Sequence, residues 1–456
     1  MSLTRRTALG AAIGGLATLP IPAFANSAVA AASRAIIFGR PGEARPALET
    51  LVAQGRRDAI PAIILGYRFR GRRGRIGRDY INAYQALTGD GATDWFEMML
   101  WQEQNPQIRP HPSFKELKLE QFNRIDPNFM RFLGEGRADN MRIRLEEIAW
   151  GGVRVDGIPS LDNPRLIRAA QADYLLGEDL VFGVEINGDA RAYPLRIMGW
   201  HEMFNDVIGG QPVALAYCTL CGAGVLYDTN VPGFNGQPLV FGSSGFLYRS
   251  NKLMFDRATD SLWNQFTGEP VAGPLLQRPI KLKERPVVIS SWDQWRRKHP
   301  DTKVLSLRTG HRRDYGSGVV YNDYFSSPDL MFPSAGGGRD LQQKDFVFGL
   351  RLPGGAKAYP LRAFGSGRTI NDSVGLQNVV LTGEQDSRTV RAFDSGGRRF
   401  EYAGPDALRG PGGTWRVEEE FLVGPDGTRL PRLPGHIAFW FGWESFLGGQ
   451  SEYWEG

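Results

Sequence analysis

Cysteine is nearly missing from this chain, with two residues in 456. That count excludes a disulfide framework and a four-cysteine metal knot. Histidine is almost as scarce, at five residues: His111, His201, His299, His311 and His436. There is no Gly-x-Ser-x-Gly elbow, no phosphate-binding glycine loop before a lysine, and no His-Glu-x-x-His. These gaps remove the signatures of α/β-hydrolases, P-loop nucleotide binding and zinc proteolysis. No run beyond the N-terminus is apolar enough for a membrane helix. Long helices are disfavoured too, because 57 glycines and 29 prolines punctuate the chain and favour short strands and turns.

What is present is concentrated. Both cysteines fall in Cys218-Thr219-Leu220-Cys221, followed by Gly222-Ala223-Gly224. Cysteines at this spacing share a metal ion or close a small disulfide ring. The N-terminus reads as an export signal over residues 1–25: Thr4-Arg5-Arg6-Thr7-Ala8-Leu9 has a twin-arginine pattern, and Ala23-Phe24-Ala25 offers a cleavage site after an apolar stretch. The expected location is the periplasm or another extracytoplasmic compartment, with no membrane span in the mature protein. The net charge of +5 is a weak basic bias, densest in the arginine-rich stretch 68–78. In an exported protein that stretch reads as a solvated loop, and no nucleic-acid partner is expected.

The chain also repeats itself. Val181-Phe182-Gly183, Ala192-Tyr193-Pro194-Leu195-Arg196 and Asn205-Asp206 recur as Val347-Phe348-Gly349, Ala358-Tyr359-Pro360-Leu361-Arg362 and Asn371-Asp372, at a constant offset of 166 residues. Nearly half of the thirty aligned positions are identical, which chance does not produce without gaps, so the reading is an internal duplication. Trp292 and Trp295 find counterparts in Trp440 and Trp443 at a shorter offset. Alternating apolar runs separated by Asn187-Gly188 and Gly209-Gly210 predict β-hairpins. The cysteines then lie at a hairpin tip. Residues kept in both copies are expected to hold the fold, with an Arg–Asp pair in each copy and the shared tyrosine in the core. Before the repeats, Asp94 with Glu97, Ser113 with Glu116, and Asp126-Pro127 mark helix starts. The expected fold is α+β, mainly β: a helical and irregular region over 26–150, a first β-rich repeat over 151–310 that carries the site, and a degenerate second over 311–456.

Residues present in one copy only are the functional candidates. At the offset, His201 becomes Gly367, Glu202 becomes Arg368, Cys218 becomes Glu384, Cys221 becomes Ser387 and Gly222 becomes Arg388. Cys-x-x-Cys-Gly fits a metal knuckle, because the glycine lets the turn aim N–H groups at sulfur. A thioredoxin-like pair would start a helix, whereas Val225-Leu226-Tyr227 reads as strand. Two thiolates need further ligands. His201 is the best placed, with Glu202 and His436 as possible additional ligands or acid/base groups. A Cys-Cys-His set suits zinc or copper. Polar-aromatic stretches 251–257 and 261–269 are further candidates for a pocket lining.

From residue 150 onward the chain resembles an uncharacterised prokaryotic family, domain of unknown function 3179. The resemblance rests on Asp156-Gly157-Ile158-Pro159, Ala192-Tyr193-Pro194-Leu195-Arg196, His201-Glu202, Asn205-Asp206, Tyr217-Cys218-Thr219-Leu220-Cys221-Gly222, Asp256-Arg257 and Ser261-Leu262-Trp263. Members of that family usually carry proline where this chain has Thr219. The resemblance implies no settled activity. The expectation is therefore an exported metal-binding protein with one transition metal ion, zinc or copper, held by Cys218, Cys221 and His201. The alternatives are an extracytoplasmic thiol–disulfide protein, or a binding module in which the cysteine pair is a structural staple.

Overall fold

A computed structural model describes residues 23–456 except 72–73, 235 and 339–340. The twin-arginine pattern around Arg5 and Arg6, expected as an export signal, lies outside the described residues, and the expected cleavage site Ala23-Phe24-Ala25 opens the helix Ala23–Phe38. The fold is α+β. The chain divides into two compact units: the described residues up to Gly89 with Pro110–Phe114, and Asp90–Arg109 with Lys115–Gly456.

The first unit is helical. Its helices Pro41–Ala53 and Ile76–Thr88 begin and end where local chemistry dictates. Pro41 needs no N–H partner at the first turn, and Glu43 accepts from the Arg40 N–H at 2.7 Å. Gly89 takes φ 74° and stops the second helix. The arginine-rich stretch expected as a loop is helical on both sides of residues 72–73. Tyr67–Gly71 forms a π-helical turn, and Arg70 donates to the Phe38 and Gly39 carbonyls at 2.8 and 2.6 Å.

The second unit carries the two similar stretches. It opens with short helices whose starts match the expected caps: Asp94 accepts from the Glu97 N–H at 2.9 Å, and Asp126 from the Asn128 N–H at 3.0 Å. Then the same element order appears twice. Hairpin Leu180–Ile186 with Asp189–Pro194 is matched by Phe346–Leu352 with Gly355–Pro360. Each hairpin gains an antiparallel strand on one side, Val288–Ser291 or Gly435–Phe439. Each gains a parallel one on the other, Lys303–Leu305 or Glu452–Tyr453. A short helix bearing the paired tryptophans links those two strands, Trp292–Lys298 or Trp440–Leu447. Meander Met203–Ile208, Gln211–Cys218, Ala223–Asp228 is matched by Arg368–Val374, Gln377–Glu384, Thr389–Asp394.

The side chains shared by the two stretches explain why both close alike. Trp295 packs on Gly183 and Trp443 on Gly349, where a Cβ would overlap the indole ring. Tyr193 and Tyr359 are fully buried and donate to Asp206 and Asp372 at 2.6 and 3.0 Å. The Arg–Asp expectation needs a change of partners. Asp206 pairs with Arg191 at 2.7 Å and Asp372 with Lys357 at 2.9 Å, while Arg196 turns to Asp179 at 2.9 Å. A strand alternates its faces, so Arg191 stands on the face of Tyr193 and Asp206. One apolar core draws on both copies, joining Phe182, Leu215 and Leu226 to Phe348, Leu381 and Leu433.

The copies diverge beyond the meander. The first adds a separate sheet that includes Phe241–Tyr248, Asn251–Asp256 and Leu262–Asn264, with the short strand Ile148–Trp150 at its edge. The second extends its own meander into eight strands ending at Glu401–Tyr402. The extra sheet of the first copy reaches back onto the cysteines.

Candidate functional site

Cys218 ends strand Gln211–Cys218 and faces Ala223 across the hairpin. The turn closes through Cys221 N–H to the Cys218 carbonyl and Gly222 N–H to the Thr219 carbonyl, both 3.2 Å. Gly222 takes φ 59°, a left-handed conformation that glycine adopts without steric cost. The result brings the two Sγ atoms to 3.1 Å. That is longer than a disulfide bond of about 2.05 Å. It is shorter than the roughly 3.8 Å that two thiolates span across a tetrahedral zinc at about 2.3 Å each.

The neighbouring sheet builds the wall. Arg249 and Ser250 form a tight turn with φ 49° and 61°, which aims the Ser250 carbonyl at both sulfurs, 3.4 Å from Cys221 and 3.9 Å from Cys218. Asn251 donates to Cys221 Sγ at 3.5 Å and to Gln265 Oε1 at 2.7 Å. Gln265 in turn donates to the carbonyls of Ala216 and Ala223, at 2.8 and 3.1 Å, and so clamps both arms of the hairpin. From the later copy, Phe439 N–H bonds the Cys221 carbonyl at 2.7 Å, and Gly442 lies against Cys221. Tyr324, on the short helix Asn322–Ser326, donates to the Leu220 carbonyl at 2.6 Å.

A buried ion pair flanks the turn. Glu202 ends helix Leu195–His201 with φ 54°. Its carboxylate accepts from Thr219 Oγ1 at 2.7 Å and from the Tyr321 hydroxyl at 3.4 Å, and faces Lys252 Nζ at 3.2 Å. Lys252 also donates to the Glu202 carbonyl at 3.3 Å. The Glu202 and Lys252 side chains are 7% and 4% exposed. Charges this deep persist only when paired and hydrogen-bonded, and here both conditions are met.

The two sulfurs are electrostatically unequal. Burial opposes the Cys218 thiolate. The hydrogen bond from Cys221 and the N–H groups of Lys252 and Cys221 outweigh it, and hold the Cys218 pKa below the ordinary thiol value. Burial, and the Cys218 thiolate that Cys221 bonds, push Cys221 well above that value. When this coupled pair loses its first proton, the cage favours the charge on Cys218.

His201 stands elsewhere. Its Nδ1 lies 2.8 Å from the Pro159 carbonyl and its Nε2 2.6 Å from the Tyr315 hydroxyl. A carbonyl only accepts, so Nδ1 carries the proton and Nε2 receives the tyrosine O–H. Both ring nitrogens are thus occupied, and burial pulls the His201 pKa to about 4. His436 packs edge-on against Phe266, with centroids 5.1 Å apart, and neither of its nitrogens has a hydrogen-bond partner among the described residues. Burial brings its pKa to about 3. Among the described residues no cluster of three or more His, Cys, Asp or Glu is arranged to hold a metal ion. Of the five residues nominated from sequence, the structure brings Cys218, Cys221 and Glu202 to one turn.

Sequence reasoning gave no individual role to Lys252, Asn251, Gln265, Thr219, Tyr321 or Tyr324. The first three lie in the polar-aromatic stretches it singled out, so a weak signal existed. The tyrosines follow residue 310 with no motif around them.

A family model described as Protein of unknown function (DUF3179) matches residues 155–450. The chain belongs to this family. No curated protein and no solved structure matches it. The matched span of DUF3179 contains every residue of the cysteine cage. It also contains Asp156 and Arg257, which form a two-pronged ion pair at 2.8 and 3.1 Å. Asp256, beside Arg257, is buried and accepts from Trp263 Nε1 at 2.9 Å. These residues brace the sheet behind the cage.

Proposed function

We propose that this DUF3179 protein is an extracytoplasmic thiol–disulfide protein whose working group is the Cys218–Cys221 pair. The observation that carries the reading is the 3.1 Å sulfur contact between one thiol held below and one held above the ordinary value. Such asymmetry supplies a thiolate to attack and a thiol to resolve. In the forward step the Cys218 thiolate attacks one sulfur of a partner disulfide and expels the other as a thiolate. Cys221 then loses its proton and attacks Cys218 Sγ, which releases the partner's second thiolate. The partner gains two electrons and this chain closes a disulfide. Both thiols are at most 1% exposed, so exchange requires the turn, or the helix bearing Tyr324, to move aside.

Export through the twin-arginine pattern and the descent of the two copies from one duplicated unit belong to the same proposal. An oxidising compartment gives the pair a reason to cycle. The constant offset of the strands supports the duplication.

A second reading keeps the metal. Ser250 and Asn251, whose carbonyl and Nδ2 touch the sulfurs, also bury Oγ and Oδ1 without a hydrogen-bond partner among the described residues, and orphaned oxygens near thiolates favour a bound cation. Zinc or copper is the class such sulfur selects.

One experiment separates the two. Protein purified under reducing conditions is analysed for metal, then equilibrated in glutathione buffers of graded potential and mapped by mass spectrometry. The thiol–disulfide reading predicts no stoichiometric metal and a single reversible Cys218–Cys221 disulfide. One ion per chain that blocks oxidation supports the metal reading. Thiols that neither oxidise nor hold metal leave the pair as a staple.

A further inference from the structure

The turn that replaces the cysteines in the later copy borders a cavity of about 480 Å³. Its lining includes three cations, Lys344, Arg362 and Arg388, and two acids, Asp345 and Asp386. Two of the cations are engaged. Arg362 faces Asp345 at 3.9 Å. Lys344 donates to the Ser327 and Asp329 carbonyls at 2.6 and 3.3 Å, over the Tyr324 ring. Arg388 is different. Its guanidinium has no hydrogen bond and no ion pair with any described residue; it lies 4.0 Å from the centroid of the Phe346 ring. It is half-buried.

The backbone sharpens the contrast. Arg388 has φ 53°, and Gly222, its counterpart, has φ 59°. The hairpin geometry asks for glycine at this place, and a residue with a Cβ is disfavoured there. A strained arginine, an unpaired guanidinium and a cavity coincide, and strain of this kind concentrates at binding sites.

We propose that this cavity binds a small molecule carrying a carboxylate or phosphate group, with Arg388 as the recognising residue. Phe346 covers one face of the guanidinium, so its N–H edge remains for bidentate contact with an oxyanion. Leu341, Pro360 and Leu361 supply an apolar flank for the rest of the ligand. A Cβ at Gly222 would meet the Phe346 ring at 3.1 Å, so the site adjoins the cysteine hairpin.

The test is calorimetric titration of the full chain with inorganic phosphate and, separately, with citrate as the carboxylate probe. Arg388→Gly copies the residue of the first copy and removes the backbone strain, so its melting temperature is expected to hold or rise. Saturable binding of either probe, weakened at least tenfold in Arg388→Gly, supports the site and identifies the group recognised. Arg388→Gln provides the same comparison should the glycine variant fail to fold. Failure of both probes to saturate the unaltered protein overturns the proposal. So does equal binding by the substituted protein.

Discussion

The two hairpins Gln211–Asp228 and Gln377–Asp394 share register, length and turn shape, yet they hold opposite chemistry. Cys218 faces Ala223 as Glu384 faces Thr389. In the first, the turn is roofed by an extra sheet and a buried Glu202–Lys252 pair, and its thiols are shut from water. In the second, Gln385 and Asp386 are exposed, and Arg388 looks into an open cavity. A scaffold that closes through Tyr193 and Tyr359, and through Trp295 and Trp443, leaves its hairpin tips free to differ. What surrounds the tip decides what the tip can do.

The comparison breaks most visibly at the buried charges. Lys252→Met leaves Glu202 unpaired in the interior and is expected to cost about 3–5 kcal/mol in denaturant unfolding. The first-copy acid Glu202 corresponds to exposed Arg368 in the second, where Arg368→Ala should stay within about 0.5 kcal/mol. Equal costs at the two places would mean that the cage is not the distinguishing feature.

Acid is expected to act on the first copy next most strongly. His201 has a folded pKa of about 4, below the ordinary value of roughly 6.5. Between those values the unfolded chain binds more protons. Stability from this group is therefore full above pH ~6.5 and is lost as pH falls toward 4, about 3 kcal/mol in all. The second copy has Gly367 here, but its buried His436, with a folded pKa of about 3, adds a dependence of the same sign. His201→Gln should make the pH profile of unfolding shallower over this range without abolishing it; an unchanged profile would remove His201 as a contributor.

The shared scaffold sets the smallest effect. Gly183→Ala and Gly349→Ala each force a methyl into a tryptophan ring and should cost about 1–3 kcal/mol. The two costs should be similar, because the contacts are the same. A large difference in melting temperature between these variants would show that one copy bears more of the fold.

Much of this architecture was legible in the sequence. Asn187-Gly188 and Gly209-Gly210 adopt the left-handed turns that their residue types demand, and the offset of 166 residues carries through the strands of both meanders. The cysteine turn was legible for the same local reasons. The cage was not, because its contacts cross long stretches of chain: Lys252 meets Glu202 from 50 residues away and Tyr321 meets it from 119. His201 teaches a further lesson. Its presence in one copy alone marked it as specific to that copy, and the structure makes it a hydrogen-bonded joint between Pro159 and Tyr315. Specificity to one copy identifies where a residue acts and leaves its chemistry open.

The inequality of the two sulfurs is the claim on which the functional reading stands. Ultraviolet thiolate absorbance, followed against pH in the reduced protein and in Cys218→Ser and Cys221→Ser, measures it directly. The account predicts one thiolate forming below the usual range of about 8.5, lost in Cys218→Ser, with the second forming only far above it. Two thiols that ionise together at or above that value, or a first step that survives Cys218→Ser, would contradict it.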